Sequence, residues 1–97
     1  MQKGGYVYIM CDRYRGTLYI GVTSDLPARV IHHREGTGSK FTSEYGLKRL
    51  VFMEHHEEIE DAIRREKAMK KWNRAWKIEL IEDMNPEWYD LLEQLNA

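Results

Sequence analysis

Ninety-seven residues with 42% apolar, 11% aromatic and 32% charged side chains specify one small domain with a single core, and two prolines and seven glycines exclude a collagen-like or linker-like chain. The net charge of −1 conceals a segregation: residues 62–78 carry seven bases against Glu66 alone, and residues 79–97 carry six acids and no base. The longest uncharged apolar run, residues 6–11, is far short of the ~20 residues that span a bilayer, no signal-peptide pattern opens the chain, and the lone Cys11 offers neither an intramolecular disulfide nor a zinc framework, so a reducing, cytoplasmic setting is expected.

Residues 6–11 are aromatic and β-branched and predict a strand, with Tyr6, Tyr8 and Met10 on one face and Val7, Ile9 and Cys11 on the other. A polar loop containing Gly16 leads to a second strand over residues 18–22. Its faces are Tyr19 with Gly21, and Leu18 with Ile20 and Val22. So short a connection predicts antiparallel pairing. Asp25 as N-cap and Pro27 in the first turn predict a helix to about residue 35, with Leu26, Val30 and His33 on one face and Arg29 beside it. Residues 36–47 read as a loop with a short turn around 41–45, and residues 49–55 as a third strand. A 3.6-residue period through Ile59, Ala62, Ile63, Met69, Trp72 and Trp76 predicts a helix from residue 59 to about 73, continuing to 83 after a kink near Asn73. After Asn85-Pro86, residues 87–95 predict a terminal helix with Trp88, Leu91, Leu92 and Leu95 inward. The fold class is α+β: a three-stranded antiparallel sheet flanked by helices, one domain with a core over about 5–82 and a helical extension over 83–97.

A few residues sit poorly in a purely structural account. Glu66 falls inside the apolar arc of its helix, where a carboxylate must be paired or bound to a metal. It either pairs with Lys70 one turn on or ligates a hard cation such as Mg²⁺. Tyr8 and Tyr19 either pack in the core or project two hydroxyls together, and Gly21 permits close approach of another chain or a ligand. Arg29 and His33 stand at i, i+4, as a solvent-facing pair or as an anion site. His32, His55 and His56 diverge from one another, and no HxxxH spacing is present, so a histidine metal site is not expected.

As an ordered set these residues resemble the GIY-YIG endonuclease family over about residues 5–82. The first motif is degenerate, Tyr6-Val7-Tyr8; the second is intact, Tyr19-Ile20-Gly21. The family's ten-residue step from the second-motif tyrosine to a helix arginine is met by Tyr19 and Arg29. Its further helix position is met by His33 and its metal-binding glutamate by Glu66. One departure is Ile78, where several members have asparagine; Asn73 and Lys77 lie on nearly the face of Glu66 and are candidates to replace it.

The resemblance implies phosphodiester hydrolysis by Tyr8, Tyr19, Arg29, His33 and Glu66, with Glu66 holding one Mg²⁺ or Mn²⁺. Arg64, Lys67, Lys70, Lys71, Arg74 and Lys77 would contact the phosphate backbone of DNA, or of RNA. No recognition module such as a zinc finger is present in these residues. Specificity is therefore expected to be weak or supplied by a protein partner or by unusual DNA structure. The rival readings are a catalytically inactive nucleic-acid-binding module on the same fold and a protein-interaction domain whose basic helix meets an acidic partner.

Overall fold

The computed structural model describes residues 4–95. In chain order the elements are β1 (Gly5–Cys11), β2 (Leu18–Thr23), α1 (Leu26–Arg34), α2 (Lys40–Tyr45), β3 (Arg49–His56), α3 (Ile59–Lys70), α4 (Arg74–Met84) and α5 (Leu92–Leu95). The strands form one antiparallel sheet in the order β2-β1-β3. The most apolar strand, β1, is therefore central and buried on both faces.

Strand alternation sorts the core into two layers. On one face Val7, Ile9, Cys11, Ile20, Val51 and Phe52 pack with Ala62 and Met69 of α3, Ile81 of α4 and Trp88. On the other, Tyr8, Met10 and Leu50 pack with Leu26 and Val30 of α1, Leu47 and Leu91. A register shift makes this division possible on β3. Ile9 pairs with Phe52 but Met10 pairs with Leu50, so Val51 is a bulged extra residue and joins Phe52 in the first layer.

Local sequence explains most of the helix ends. The Asp25 carboxylate accepts from the Ala28 amide at 3.3 Å, opening α1 with Pro27 in its first turn. The segment read as a loop with a turn is a two-turn helix, α2, capped by Ser39, whose hydroxyl accepts from the Thr42 amide at 3.1 Å. The expected kink near Asn73 is instead a break. α3 ends at Lys70, and the Asn73 carboxamide caps a new helix by accepting from the Trp76 amide at 2.9 Å. The break rotates the chain, so Trp76, read as part of one apolar face with Ile63, is 56% exposed and Ile63 itself is 37% exposed.

The expected terminal helix over residues 87–95 shrinks to the four residues of α5. Trp88 adopts a left-handed φ of 58°, which no helix accommodates. The reason is topological: this segment crosses the β3 edge of the sheet. Trp88 is buried in the first layer and Leu91 in the second. Buried Asn85 steers the crossing, donating to the carbonyls of Val51 at 3.1 Å and Tyr89 at 2.9 Å. The Leu91 amide then donates to the Leu50 carbonyl at 2.8 Å. No helix of the described residues is long and apolar enough to cross a membrane.

Candidate active site

The site begins with a missing side chain. Tyr8 on β1 lies directly opposite Gly21 on β2. A Cβ at Gly21 would stand 2.5 Å from both Cζ and the hydroxyl of Tyr8. The tyrosine ring therefore lies flat across the glycine, which is the close approach the sequence allowed. Tyr19 projects from the same face, its ring centroid 6.3 Å from that of Tyr8.

The Tyr8 hydroxyl reaches Nε2 of His33 on α1 at 2.8 Å, and Nδ1 of His33 reaches the Thr42 hydroxyl on α2 at 2.9 Å. Thr42 in turn donates to the Ser39 carbonyl at 3.2 Å. With that donor committed, Nδ1–H donates to Thr42 and Nε2 is left to accept the Tyr8 proton. A Cβ at Gly38 would overlap the His33 ring, so this glycine too is a packing requirement. His33 is only 1% exposed. Burial, then the neighbouring charges of Arg29 and His32, push its pKa down to about 4. The imidazole is therefore neutral at pH 7. The expectation that His33 either faces solvent or meets an anion beside Arg29 is corrected: it lies beneath the tyrosine, with both nitrogens engaged.

Burial, followed by the adjacent Tyr19, raises the Tyr8 phenol well above its ordinary value. Arg29 opposes the rise and Glu66 adds to it. The four residues thus share one electrostatic neighbourhood. Arg29 is partly buried on α1, with no carboxylate partner among the described residues. Glu66 is 9% exposed on α3, between Ala62 and Met69. Lys70 Nζ meets its carboxylate at 2.7 Å, the pairing the i, i+4 spacing suggested.

A surface cavity of about 330 Å³ opens beside Tyr19, lined also by Phe41, Lys70 and Lys77. The Phe41 ring stacks on Tyr19 with centroids 6.2 Å apart. The basic block divides around this cavity. Lys70 and Lys77 line it, and Arg74 lies further along, donating to the carbonyls of Arg15 and Gly16 at 2.5 and 2.6 Å. Arg64, Lys67 and Lys71 are exposed on the outer side of α3, with Arg64 paired to Asp61. Asn73, a candidate for the missing asparagine, is spent on capping α4. Sequence reasoning missed Ser39, Thr42 and Phe41. The Gly38-Ser39 pair was the available signal, since serine before a run of non-breakers is an N-cap pattern.

Comparison with known proteins finds relatives over most of the chain. A family model described as the GIY-YIG catalytic domain matches residues 4–79. A UPF0213 protein of Staphylococcus epidermidis (strain ATCC 12228 / FDA PCI 1200) is 35% identical over 79 residues, covering 80% of this chain and 94% of that protein. A UPF0213 protein of Staphylococcus aureus (strain Mu3 / ATCC 700698) is 37% identical with the same coverage. No solved structure matches. The family match supports a nuclease-type role acting on nucleic acid. Tyr8 across Gly21, the Tyr19-Ile20-Gly21 motif on the edge strand and a match over most of the sequence lead to one conclusion: the chain belongs to the GIY-YIG family.

Proposed function

We propose that this protein is a metal-dependent endonuclease that hydrolyses phosphodiester bonds in DNA with little intrinsic sequence specificity. The observation that carries the reading is the Tyr8–His33–Thr42 chain of hydrogen bonds, held beside an arginine with no carboxylate partner among the described residues. A purely structural tyrosine pair has no need of a buried, fully engaged histidine.

In this reading Arg29 offers its planar guanidinium to the non-bridging oxygens of the scissile phosphate and stabilises the crowded transition state. Tyr8 acts as a fixed hydroxyl and not as a phenolate, because burial keeps it protonated. Its proton is directed to His33, so its oxygen lone pair is free to accept a hydrogen from the attacking water and aim it. Tyr19, at the cavity wall, positions the substrate from the other side. Among the described residues no group of three or more His, Cys, Asp or Glu side chains is disposed to hold a metal. Glu66 is a single hard oxygen donor, so it would hold Mg²⁺ or Mn²⁺ only with water and substrate oxygens completing the shell. The ion would supply neutralisation of phosphate and leaving-group charge. Lys70 covers the same carboxylate and would yield it on binding.

That ion pair is also the observation favouring the second reading, an inactive nucleic-acid-binding module in which Lys70 satisfies Glu66 permanently. Cleavage of supercoiled DNA, single-stranded DNA and RNA in Mg²⁺, Mn²⁺ and EDTA separates the two. The nuclease reading expects metal-dependent cutting that Arg29→Ala and Glu66→Gln abolish. It also expects a metal-induced rise in melting temperature that Glu66→Gln removes. Equal stabilisation of wild type and Glu66→Gln by metal, with no cutting by either, makes the binding module the function.

A further inference from the structure

We propose that the turn between β1 and β2, together with the start of α4, forms a second phosphate-binding site, which holds the nucleic-acid backbone away from the scissile phosphate. This rests on the reading of the chain as a protein that acts on nucleic acid. The site is a cavity of about 420 Å³ whose walls carry Arg13, Arg15, Arg74 and Lys77, with Gly16 and Thr17 between them. Four bases at one cavity do not by themselves make an anion site, because two are neutralised. Arg13 pairs with Asp12, and Arg15 meets Glu82 through two bonds of 2.8 and 2.9 Å. Arg74 and Lys77 have no carboxylate partner among the described residues, so the cavity keeps a surplus of two positive charges.

The turn is held in shape rather than left to adapt. Arg15 sits at a left-handed φ of 53°, a conformation that costs free energy and persists only where the surroundings enforce it. Three contacts do so: the Arg15–Glu82 fork, the two bonds from Arg74 to the carbonyls of residues 15 and 16, and the Thr17 amide donating to Asp12 at 2.8 Å. Glu82 is itself fixed by the Trp88 indole at 2.8 Å. A preorganised cationic pocket of this kind suits a phosphodiester, which needs fixed donors and little rearrangement.

Its position supplies the direction. Leu18 and Lys77 line both this cavity and the one beside Tyr19. The two are therefore adjacent along the β2 edge, with Lys77 between them. A strand whose scissile phosphate lies near Tyr19 and Arg29 would pass Lys70 and Lys77 and place a further phosphate in this cavity, against Arg74. The lysine on nearly the face of Glu66 thus belongs to the substrate track and does not stand in for the family asparagine.

The test is binding of fluorescein-labelled 30-nucleotide DNA by the full chain in EDTA, read by anisotropy across a salt series, with no cleavage needed. Lys77→Ala should raise Kd about tenfold and flatten the salt slope by about one contact. Lys77→Arg should restore most of the loss, which a merely misfolded variant would not. Lys48→Ala, a charge-matched change at a residue lining neither cavity, should differ little from wild type. Equal losses from Lys48→Ala and Lys77→Ala overturn the site, since net charge would then explain the effect. So does displacement of inorganic phosphate, but not of DNA, by these changes; the cavity would then serve free anions. The outcome is separable from that of the nuclease reading. Cavity-dependent binding by a protein that never cuts keeps this site and removes the nuclease. Cutting that needs Arg29 but ignores Lys77 does the reverse.

Discussion

The two faces of the sheet are built from the same strand and do different things. Below β1, Val7, Ile9 and Cys11 pack with apolar side chains from α3, α4 and the Trp88 segment. Above it, Tyr8 and Met10 meet α1 and α2 in a layer threaded by hydroxyls and an imidazole. The first face is held mainly by apolar packing, and its buried Asn85 serves the chain crossing at the sheet edge. On the second, every polar atom that enters must find a partner, and each partner restricts the next. The site is thereby held stiff by its own hydrogen bonds, at the cost of some stability that the apolar face supplies.

Four measurements can break or sharpen that contrast. The largest expected effect is on the apolar face. Trp88→Ala removes a fully buried indole at a left-handed position and should destabilise by about 3–5 kcal/mol. Denaturant unfolding checks this. A cost under 1 kcal/mol would mean that the C-terminal crossing is an appendage to the core.

The next effect is confined to the tyrosine face. The pKa of His33 is lowered to about 4 in the folded chain, against about 6.5 when exposed. The unfolded state therefore binds the extra proton between those values. The contribution is complete above about pH 6.5 and is lost as pH falls toward 4, by up to about 3 kcal/mol. Thermal melts over pH 7.5 to 4.5 should show a drop in wild type that is smaller in His33→Gln. Parallel curves for the two proteins would show that the imidazole is not held neutral.

A smaller change tests the aim of the site. Gly21→Ala inserts a methyl 2.5 Å from the Tyr8 ring. It should cost about 1–3 kcal/mol in stability and, where cleavage is measurable, on the order of 100-fold in rate, because Tyr8 must move. A rate loss no larger than the stability loss explains would indicate that the position of Tyr8 does not matter. The smallest effect returns to the apolar face. Burial pushes the Cys11 thiol up to about 11, so native protein should react with a thiol reagent at pH 8 far more slowly than unfolded protein. Rapid native labelling would mean that the first layer opens readily.

Much of this was legible in the residues. Alternation along residues 6–11 and 18–22 assigned every side chain to its face, because a strand has a period of two and β1 is flanked on both sides. Asp25, Pro27 and the i, i+4 spacing of Glu66 and Lys70 fixed local events whose partners lie within one turn. The second tyrosine motif, the arginine ten residues on and the later glutamate carried the family resemblance in one dimension, since those positions are set by element lengths.

The rest required the folded chain, for a common reason: its partners are far apart in sequence. Whether His33 faced solvent or the core depended on Tyr8, 25 residues earlier, and on Thr42, nine later. The break at residues 71–73 turned Trp76 outward against its period, because tertiary packing of two separate helices outweighs a continuous pattern. The terminal helix was lost because Trp88 and Leu91 serve opposite faces of the sheet, and only an extended crossing of its edge reaches both. The sequence by itself determined which residue types stand on which face. The tertiary structure decided which of them are aimed, because aim depends on hydrogen bonds and packing across elements that no local spacing encodes.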